Sequence, residues 1–381
     1  MAETAEVAIV GGGIAGCATA YLLSKRGVQV TLIEREAIGS CASGFAAGLI
    51  NPLDGRGIHS SLEPLAQHSF RMHLPLTNEI KAETGIDPEW QPMLGVWIVI
   101  NESETQGFLE LFHLSQRLEG LTARWLEGPE LRSLESRVSP HAIRAMLVEG
   151  ISQVTSYKYT LALAQAAEKY GATVRHGTVQ GLRRSNGRVS AVVLSDGEMA
   201  CGKVILAMGP WTGEVEGWLG IPMPIMPLKG QILHLQLDGP PLEYVFFRSG
   251  GGYFSAKSDG LIWAGTTEER VGFDHHLTQE ARKSIIEGTV AIMPSMSEAQ
   301  VVLQTACLRP VFEDGLPVIG EVSGCEGLYV VTGAGRNGIL LAPAMAQAVA
   351  DLITSGQTDL PIEPLAPDRF VNPKSRQGKI G

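Results

Sequence analysis

The sequence has few of the features that mark nucleic-acid-binding, metal-binding or disulfide-bonded proteins. Its 30 lysines and arginines are outnumbered by 40 aspartates and glutamates, and the formal net charge of −10 offers no basic face to a phosphate backbone. The five cysteines show no CxxC or Cys/His spacing, so neither a disulfide framework nor a metal site is indicated. Small-molecule chemistry is therefore favoured over nucleic-acid binding.

From the sequence pattern we expect neither a leader nor a long apolar run. The first ten residues, MAETAEVAIV, have no basic region and no apolar block before a cleavage site. We expect no apolar run to reach the roughly 20 residues that cross a bilayer. The pattern predicts a cytoplasmic protein without a membrane span, and it leaves the oligomeric state open.

What the sequence does have is length and glycine. Its 381 residues exceed a comfortable single core, so we expect two domains, or one domain with a large insertion. Apolar residues make up 44% of the chain, charged residues 18%, and there are 45 glycines. This composition is typical of an α/β enzyme with many tight turns.

The first strong motif is a glycine turn inside a βαβ pattern. The strand-like run VAIV is followed by GGGIAG, residues 11–16, then by a helical pattern and by the strand VQVTLIE, which ends at Glu34. Glycines at this spacing allow a tight turn, a close approach to a pyrophosphate and the packing of helix on strand. Glu34 would accept hydrogen bonds from a ribose diol and repel a 2′-phosphate, which favours FAD or NAD over NADP. The motif does not separate FAD from NAD.

A second glycine turn, GAGRNGILLAP from Gly333 to Pro343, stands near the end of the chain between the strand pattern GLYVVTG and a helical pattern. Between the two turns the sequence predicts a hairpin turned at Asn186-Gly187 and the strand VILA. The segments GQILHLQL, YVFF, GYFSAK and LIWAGTT predict a further sheet. The segment REAIGSCASGFAAGLINPLDGRG predicts a loop with close backbone approaches.

Together these segments resemble the D-amino-acid oxidase and glycine oxidase family of FAD-dependent amine oxidoreductases, to which sarcosine oxidases are related. The resemblance is carried by VAIVGGGIAG with Glu34-Arg35, ASGFAAGLINP, VILAMGPWTG, PLKGQIL, GYFSAK, AGTTEERVGFD, CLRPVFEDGLPVIG and GAGRNGILLAP. It implies an α/β (α+β overall) fold, with a glutathione-reductase-like FAD-binding βαβ domain and a second, antiparallel-sheet substrate domain. We expect residues 1–50, 140–218 and 311–381 in the FAD-binding domain, and residues 51–139 and 219–310 in the substrate domain.

The resemblance also implies which residues contact FAD, position by position. The pyrophosphate end would be formed by Gly11, Gly13, Ile14, Ala15 and Gly16, and the adenosine end by Glu34, Arg35 and Val179. Ser43, Ala46, Ala47, Gly48 and Leu49 would line the ring side of the flavin, and Met208, Gly209 and Trp211 would lie beside the ribityl chain. Gly335, Arg336, Asn337, Gly338, Ile339 and Leu340 would meet the pyrimidine edge, where a helix N-terminus and the Arg336 charge would stabilise the reduced flavin.

Cys307 raises the question of a covalent bond to the cofactor. It falls where sarcosine oxidases attach their flavin through a thioether, whereas D-amino-acid and glycine oxidases hold FAD without a bond. We expect non-covalent FAD and leave a link through Cys307 as the lesser alternative.

Two residues are predicted to form the substrate site. Arg309 in CLRP matches the family's arginine for the substrate carboxylate, and a guanidinium presents two parallel donors to such a group. Tyr253 matches a tyrosine that adds a hydrogen bond to the same carboxylate. Glu268, after GTT, stands where some glycine oxidases carry an apolar residue, which leaves open a longer, shorter or more polar substrate side chain than theirs.

The predicted function is oxidation of a small amino acid or N-substituted amine, such as glycine, a D-amino acid or sarcosine. Hydride transfer from Cα to flavin N5 would give an imine that hydrolyses, with O2 as the acceptor. None of the nine histidines lies in an obvious catalytic motif, and a neutral amine needs no protein base. One alternative is an FAD-dependent dehydrogenase of an amino or 2-hydroxy acid that passes electrons to a quinone or carrier. Two others are a tRNA-modification oxidase module, against which the net charge weighs, and a non-catalytic FAD-binding protein.

Overall fold

The computed structural model describes residues 4–53, 58–250 and 252–371. The strands in chain order are β1 (Thr4–Val10), β2 (Val30–Glu34), β3 (Leu49–Ile50), β4 (Gln91–Val99), β5 (Thr122–Glu127), β6 (Arg144–Gln153), β7 (Thr173–His176), β8 (Val179–Ser185), β9 (Arg188–Leu194), β10 (Gly197–Leu206), β11 (Ile225–Gln236), β12 (Tyr244–Arg248), β13 (Tyr253–Ala256), β14 (Ile262–Gly265), β15 (Gln300–Phe312), β16 (Val318–Glu321) and β17 (Leu328–Thr332). The helices are α1 (Ile14–Lys25), α2 (Ala42–Phe45), α3 (Glu63–Thr84), α4 (Thr105–Ser115), α5 (Gly128–Leu134), α6 (Ser156–Lys169), α7 (Val215–Leu219), α8 (Gln279–Ile292), α9 (Gly338–Ser355) and α10 (Asp368–Val371).

The first sheet has the order β16-β17-β10-β1-β2-β7, and the hairpin β8-β9 is attached to β10. Neighbouring strands from β17 to β7 are parallel, and such strands are expected to be apolar throughout because both faces are covered. Val7, Ala8 and Ile9 of β1 are accordingly fully buried, and α1 packs against α6 and α9. The β8-β9 hairpin turns at Asn186 and Gly187, which have φ values of 52° and 80°, as the Asn-Gly pair predicts.

The second sheet has the order β15-β11-β14-β13-β12-β4-β6-β3, with β5 paired to β6. The pairs that the structure describes are antiparallel except for β12 with β4, which is parallel, so the predicted antiparallel sheet contains one parallel pair. Its longest pairing joins Ile225–Gln236 to Gln300–Phe312. Phe246 and Phe254 face a core that α8 covers through Ile285, while Phe247 and Tyr253, on the other face, belong to the core shared with the first sheet.

The chain crosses between the sheets several times, which bears on the predicted domain division. Strands β3 and β6 fall in segments predicted for the FAD-binding domain, yet both pair in the second sheet. The division stays a prediction, and strand pairing would move its boundaries to Leu49 and Gln153. Residues 1–3, 54–57, 251 and 372–381 of the predicted ranges lie outside the described residues.

The apolar stretch around α9 corrects one expectation. Residues Gly335–Ser355 are long and apolar enough to cross a membrane by length and composition, so the prediction that no run reaches that length was wrong. Most of this stretch is buried inside the protein, where α9 packs on α1 and α3. The burial is that of a core helix.

Candidate functional site

A cavity of about 470 Å³ lies between the two sheets, within the range of about 300–1,000 Å³ that is common for cofactor and ligand sites. It opens at the carboxyl ends of parallel strands, through Val10, Glu34 and Thr332, which is where open α/β sheets bind ligands. All residues predicted to contact FAD or substrate line it except Gly16: Gly11, Gly13, Ile14, Ala15, Glu34, Arg35, Ser43, Ala46, Ala47, Gly48, Leu49, Val179, Met208, Gly209, Trp211, Tyr253, Arg309 and 335–340. Their roles at the cofactor and substrate remain predictions.

Gly16 has a different place from the one predicted. A Cβ on Gly16 would lie 2.0 Å from the carbonyl oxygen of Gly11, so the residue lets α1 pack on the turn after β1 and does not line the cavity. Gly11 has a φ of 111°, and a Cβ there would lie 2.4 Å from the oxygen of Ala207. The two glycines are required by backbone contact, which fixes the start of α1 against β1 and β10.

The start of α1 is suited to an anion. The helix begins at Ile14, and Gly13 before it has no capping side chain, so backbone N–H groups of the first turn need acceptors. The Ile14 N–H donates to Ser43 Oγ at 2.9 Å. This bond brings Ser43 to the start of α1, near the predicted pyrophosphate end. Its contact with the ring side of the flavin stays a prediction.

Glu34 is held by the backbone at the cavity wall. Its Oε2 accepts from the Gly12 N–H at 2.6 Å and its Oε1 from the Glu36 N–H at 2.8 Å, which leaves acceptor capacity for a ribose diol. The Arg35 guanidinium lies 4.3 Å from the centroid of the Trp211 ring. Trp211 therefore lies next to Arg35 at the predicted adenosine end, and its contact with the ribityl chain stays a prediction.

The segment before β3 is more ordered than the predicted loop. It contains the short helix α2. Gly48 has a φ of 71°, and its backbone lies so close to Val154 that a Cβ would be 2.0 Å from the Val154 carbonyl oxygen. The carbonyls of Ala46 and Ala47 accept from Ser156 Oγ and Lys257 Nζ. Burial lowers the pKa of Lys257 to about 7. These bonds fix the backbone that faces the cavity.

These features fit FAD. The glycine positions at 11 and 48 bring backbone close to the cavity, and Glu34 can bind a ribose. A second helix start, α9 with the turn Gly335–Asn337 before it, also lines the cavity and has no capping side chain. Two helix N-termini and one carboxylate are the donor and acceptor set that a dinucleotide with an anionic ring system requires.

Arg336 and Glu268 form an ion pair that the sequence did not predict. Arg336 Nη1 lies 2.8 Å from Glu268 Oε1, and the two side chains are 17% and 24% exposed. Glu268 is not among the residues that line the cavity, so it does not stand at a substrate side chain as expected. It offsets the Arg336 charge instead.

The predicted substrate residues lie on one wall. Arg309 on β15 is 9% exposed; its Nη2 donates to Thr266 Oγ1 at 2.6 Å and its Nη1 to the Thr267 carbonyl at 3.2 Å. A guanidinium has five N–H donors, so three have no acceptor among the described residues. Tyr253 pairs across β13 and β12 with Phe247, whose ring stacks on buried Trp97 at 4.1 Å between centroids. Arg309, Thr266, Tyr253 and Phe247 all line the cavity.

Several residues of this wall were missed from the sequence. Thr266, Phe247 and Ile232 line the cavity, and their strand patterns alone do not tell which face meets a ligand. Asn51 also lines it, with Oδ1 accepting from the Leu53 N–H at 3.0 Å and Nδ2 buried without a partner in the described part of the chain. The one available signal was Gly230 within the strand pattern LKGQIL, since glycine inside a strand often marks a close approach.

Cys307 lines the same cavity as a buried free thiol. Burial raises its pKa, and the charge of Arg309 offsets this only in part. The thiolate that would form a thioether is therefore disfavoured, which supports non-covalent FAD, although the bond itself stays untested.

Comparison with known proteins agrees with this geometry. The family model described as FAD dependent oxidoreductase matches residues 6–352. The glycine oxidase of Pseudomonas aeruginosa is 30% identical over 364 residues, which cover 95% of this chain and 98% of the relative. The solved glycine oxidase of Geobacillus kaustophilus is 28% identical with a TM-score of 0.91, covering 97% of this chain and 100% of that one. The glycine oxidase of Bacillus cereus is 30% identical with a TM-score of 0.87, covering 93% and 96%.

Proposed function

Because the chain belongs to the family of FAD-dependent oxidoreductases, we propose that it oxidises the C–N bond of a small amino acid or N-substituted amine such as glycine, with O2 as the acceptor. The imine product hydrolyses to an oxo acid and an amine or ammonia. We also propose that it works in the cytoplasm. FAD, when bound, supplies the two-electron acceptor, and the protein binds and orients the substrate.

The observation that carries the proposal is the buried Arg309 guanidinium on the cavity wall. Within the described part of the chain it keeps three N–H donors after its bonds to Thr266 and Thr267, and a substrate carboxylate needs two donors for a bidentate contact. Tyr253 lines the same wall and is proposed to donate to the same carboxylate. Together they would fix which face of the substrate Cα meets the cofactor.

The wall beside Arg309 favours a substrate without a polar side chain. Ile232 and Phe247 contribute apolar surface, and Phe247 is held in place by stacking on Trp97. An apolar or absent side chain leaves no polar group without a partner against this surface. Glycine, alanine and sarcosine meet that requirement.

The ionisable groups argue for an amine over a 2-hydroxy acid. A hydroxy acid needs a base to remove its O–H proton, and no histidine is among the described residues that line the cavity. A neutral amine carries its own lone pair and needs only to be positioned. The alternative that acts on 2-hydroxy acids is therefore less well supported by this site.

Anaerobic mixing of the FAD-loaded protein with glycine, D-alanine, sarcosine and glycolate tests the proposal. We expect an amino acid or amine to bleach the flavin absorption, glycolate to leave it unchanged, and admission of air to restore the colour with formation of peroxide. The Arg309→Gln variant should keep its FAD spectrum and lose most bleaching at the same substrate concentration. Bleaching by glycolate alone would contradict the proposal, and bleaching by an amine without peroxide would contradict O2 as the acceptor.

A further inference from the structure

We propose that Gly230 is a positioning residue that sets the affinity for carboxylates. Because it has no side chain, the Arg309 guanidinium can lie against its backbone. The inference rests on the proposed function, in which Arg309 binds a carboxylate. We define the guanidinium seat as Gly230, Cys307 and Thr266.

The register of β11 and β15 builds this seat. Gly230 stands opposite Cys307, and Leu228 stands opposite Arg309. Residues paired across antiparallel strands point to the same face, and diagonal neighbours are within reach of long side chains. The Arg309 side chain therefore extends diagonally across the strand pair to Gly230, beside the small side chain of Cys307.

The contact with Gly230 leaves no room for a Cβ unless the Arg309 guanidinium moves. A Cβ on Gly230 would lie 2.1 Å from Arg309 Nη1, 2.2 Å from Nη2 and 2.3 Å from Cζ. All three distances end on the planar group itself. The guanidinium thus occupies the space in which a side chain at position 230 would begin.

Backbone conformation does not explain this glycine. Gly230 is not among the described glycines with a positive φ, so its conformation is open to other residues. A glycine inside a strand weakens the strand, and Gly230 lies in the buried middle of β11. The space that Arg309 fills is the reason for glycine at this position.

The other side of the guanidinium is held by the segment from Thr266 to Glu269. Thr266 Oγ1 accepts from Nη2 and the Thr267 carbonyl from Nη1. Thr267 Oγ1 in turn donates to Glu269 at 2.5 Å, and Glu269 lies 3.4 Å from Lys229 Nζ, whose side chain is 1% exposed. Lys229 and Glu269 also exchange backbone hydrogen bonds at 2.9 and 3.0 Å. The segment that carries the acceptors Thr266 and Thr267 is therefore bonded to Lys229, the residue next to Gly230.

A single methyl group at position 230 should disturb this arrangement. Ordinary carbon contacts need about 3.5 Å or more, so the guanidinium would have to rise by more than 1 Å and lose alignment with Thr266. Misplacement by about 1 Å can cost on the order of 100-fold in a positioned site. We expect weaker binding of carboxylates with the cofactor site unchanged.

The test uses the FAD-loaded Gly230→Ala variant and acetate, titrated while the visible absorption of bound FAD is recorded. We expect the Kd for acetate to rise about tenfold or more, with FAD content and the spectrum of the ligand-free protein unchanged. Acetamide, which has the shape of acetate without its charge, should bind equally to both proteins. The control is Gly107→Ala in α4, where a Cβ meets nothing within 4 Å, and it should bind acetate like the wild type.

A second pair of variants keeps the test decisive if Gly230→Ala does not fold. Thr266→Val removes the acceptor of Nη2 and should weaken acetate binding, whereas Thr266→Ser keeps the hydroxyl and should restore it. Wild-type affinity in Gly230→Ala, or in Thr266→Val where that variant replaces it, overturns this inference. Failure of the proposed function looks different: acetate then does not bind the wild type, or binds Arg309→Lys equally well.

Discussion

One fully buried histidine outside the cavity supports one of the cavity's walls. His73 on α3 is fully buried, its Nε2 lies 3.0 Å from the Leu340 carbonyl and its Nδ1 lies 3.1 Å from the Tyr159 hydroxyl. Because a carbonyl only accepts, Nε2 carries the proton and Tyr159 donates to Nδ1. Leu340 lines the cavity at the start of α9, so His73 fixes that helix start while it stays neutral.

This residue should make the protein sensitive to acid. Burial lowers the pKa of His73 from 6.5 to about 4, and the bond to Leu340 opposes this only in part. Between those values the unfolded chain binds a proton that the native state does not, so the free energy of unfolding falls as pH drops from 6.5 towards 4. The loss is on the order of 3 kcal/mol. Urea unfolding at several pH values should show it in the wild type.

Two variants separate His73 from the other titrating groups. His73→Leu should be less stable at pH 7, because it leaves Tyr159 and the Leu340 carbonyl without partners, but its stability should change less between pH 6.5 and 4. His113→Leu, at an exposed position on α4, should keep the slope of the wild type. Equal slopes in all three proteins would show that His73 does not set the acid limit.

The contacts of a single residue can be predicted from the sequence when its neighbours lie close to it along the chain. The turn at Gly11 and the acid at Glu34 belong to one βαβ unit, so their placement follows from local pattern. The bond from Ile14 to Ser43 and the contact of Gly230 with Arg309 join separate elements. No spacing rule relates such positions, and only the register of β11 with β15 brings the latter pair together.

At the scale of elements, the position of α1 depends on contact between two backbones. The Gly16 position allows α1 to approach the Gly11 carbonyl, and the N–H groups at its start line the predicted pyrophosphate site. A shift of the helix would move those donors as a unit. Packing of this element and affinity for the cofactor are therefore linked.

Gly16→Ala should reveal that link. Its Cβ would lie 2.0 Å from a backbone oxygen, which a side-chain rotation cannot relieve, so we expect a loss of stability of about 1–3 kcal/mol and weaker FAD binding. Thermal unfolding and the fluorescence of released FAD measure the two effects. Gly217→Ala in α7, where the added Cβ meets nothing within 4 Å, is the matched control. A variant that binds FAD with unchanged affinity would separate helix packing from the cofactor site.

Of all features of the fold, the strands and longer helices were predicted best. Strands β1, β10 and β17 and helices α1 and α9 follow from apolar runs and periodicity. The short helix α2 was predicted as loop because four residues, Ala42–Phe45, are too few to show a helical period. The parallel pairing of β12 with β4 was also invisible, since a strand's pattern does not state the direction of its neighbour.

At the scale of the whole molecule, the ion pair between Glu268 and Arg336 joins the parts of the chain that follow β14 and β17. These strands belong to different sheets. The pair thus connects the second sheet to the turn before α9, at the predicted pyrimidine edge of FAD. Its net charge is zero, which alters the effect expected from Arg336 alone.

Reduction potentials should report this pair. Glu268→Gln removes a negative charge beside Arg336 and should raise the potential of bound FAD, whereas Arg336→Gln removes a positive charge there and should lower it. About 1.4 kcal/mol corresponds to roughly 30 mV in a two-electron couple, so we expect shifts on the order of tens of millivolts. The double variant should return towards the wild type. Equilibration with a reference dye gives the values, and shifts of both single variants in the same direction would argue against a charge effect.

The strand order also has a consequence for the synthesis of this protein. Three central strands of the first sheet, β1, β10 and β17, come from early, middle and late parts of the chain. On the ribosome, β1 emerges first, yet its partner β10 ends only at Leu206 and α9 begins at Gly338. Until β10 and β17 have been made, the edge of β1 that they cover in the native sheet stays exposed in the nascent chain. FAD can be enclosed only after α9 has been made, so cofactor capture follows the synthesis of all three strands.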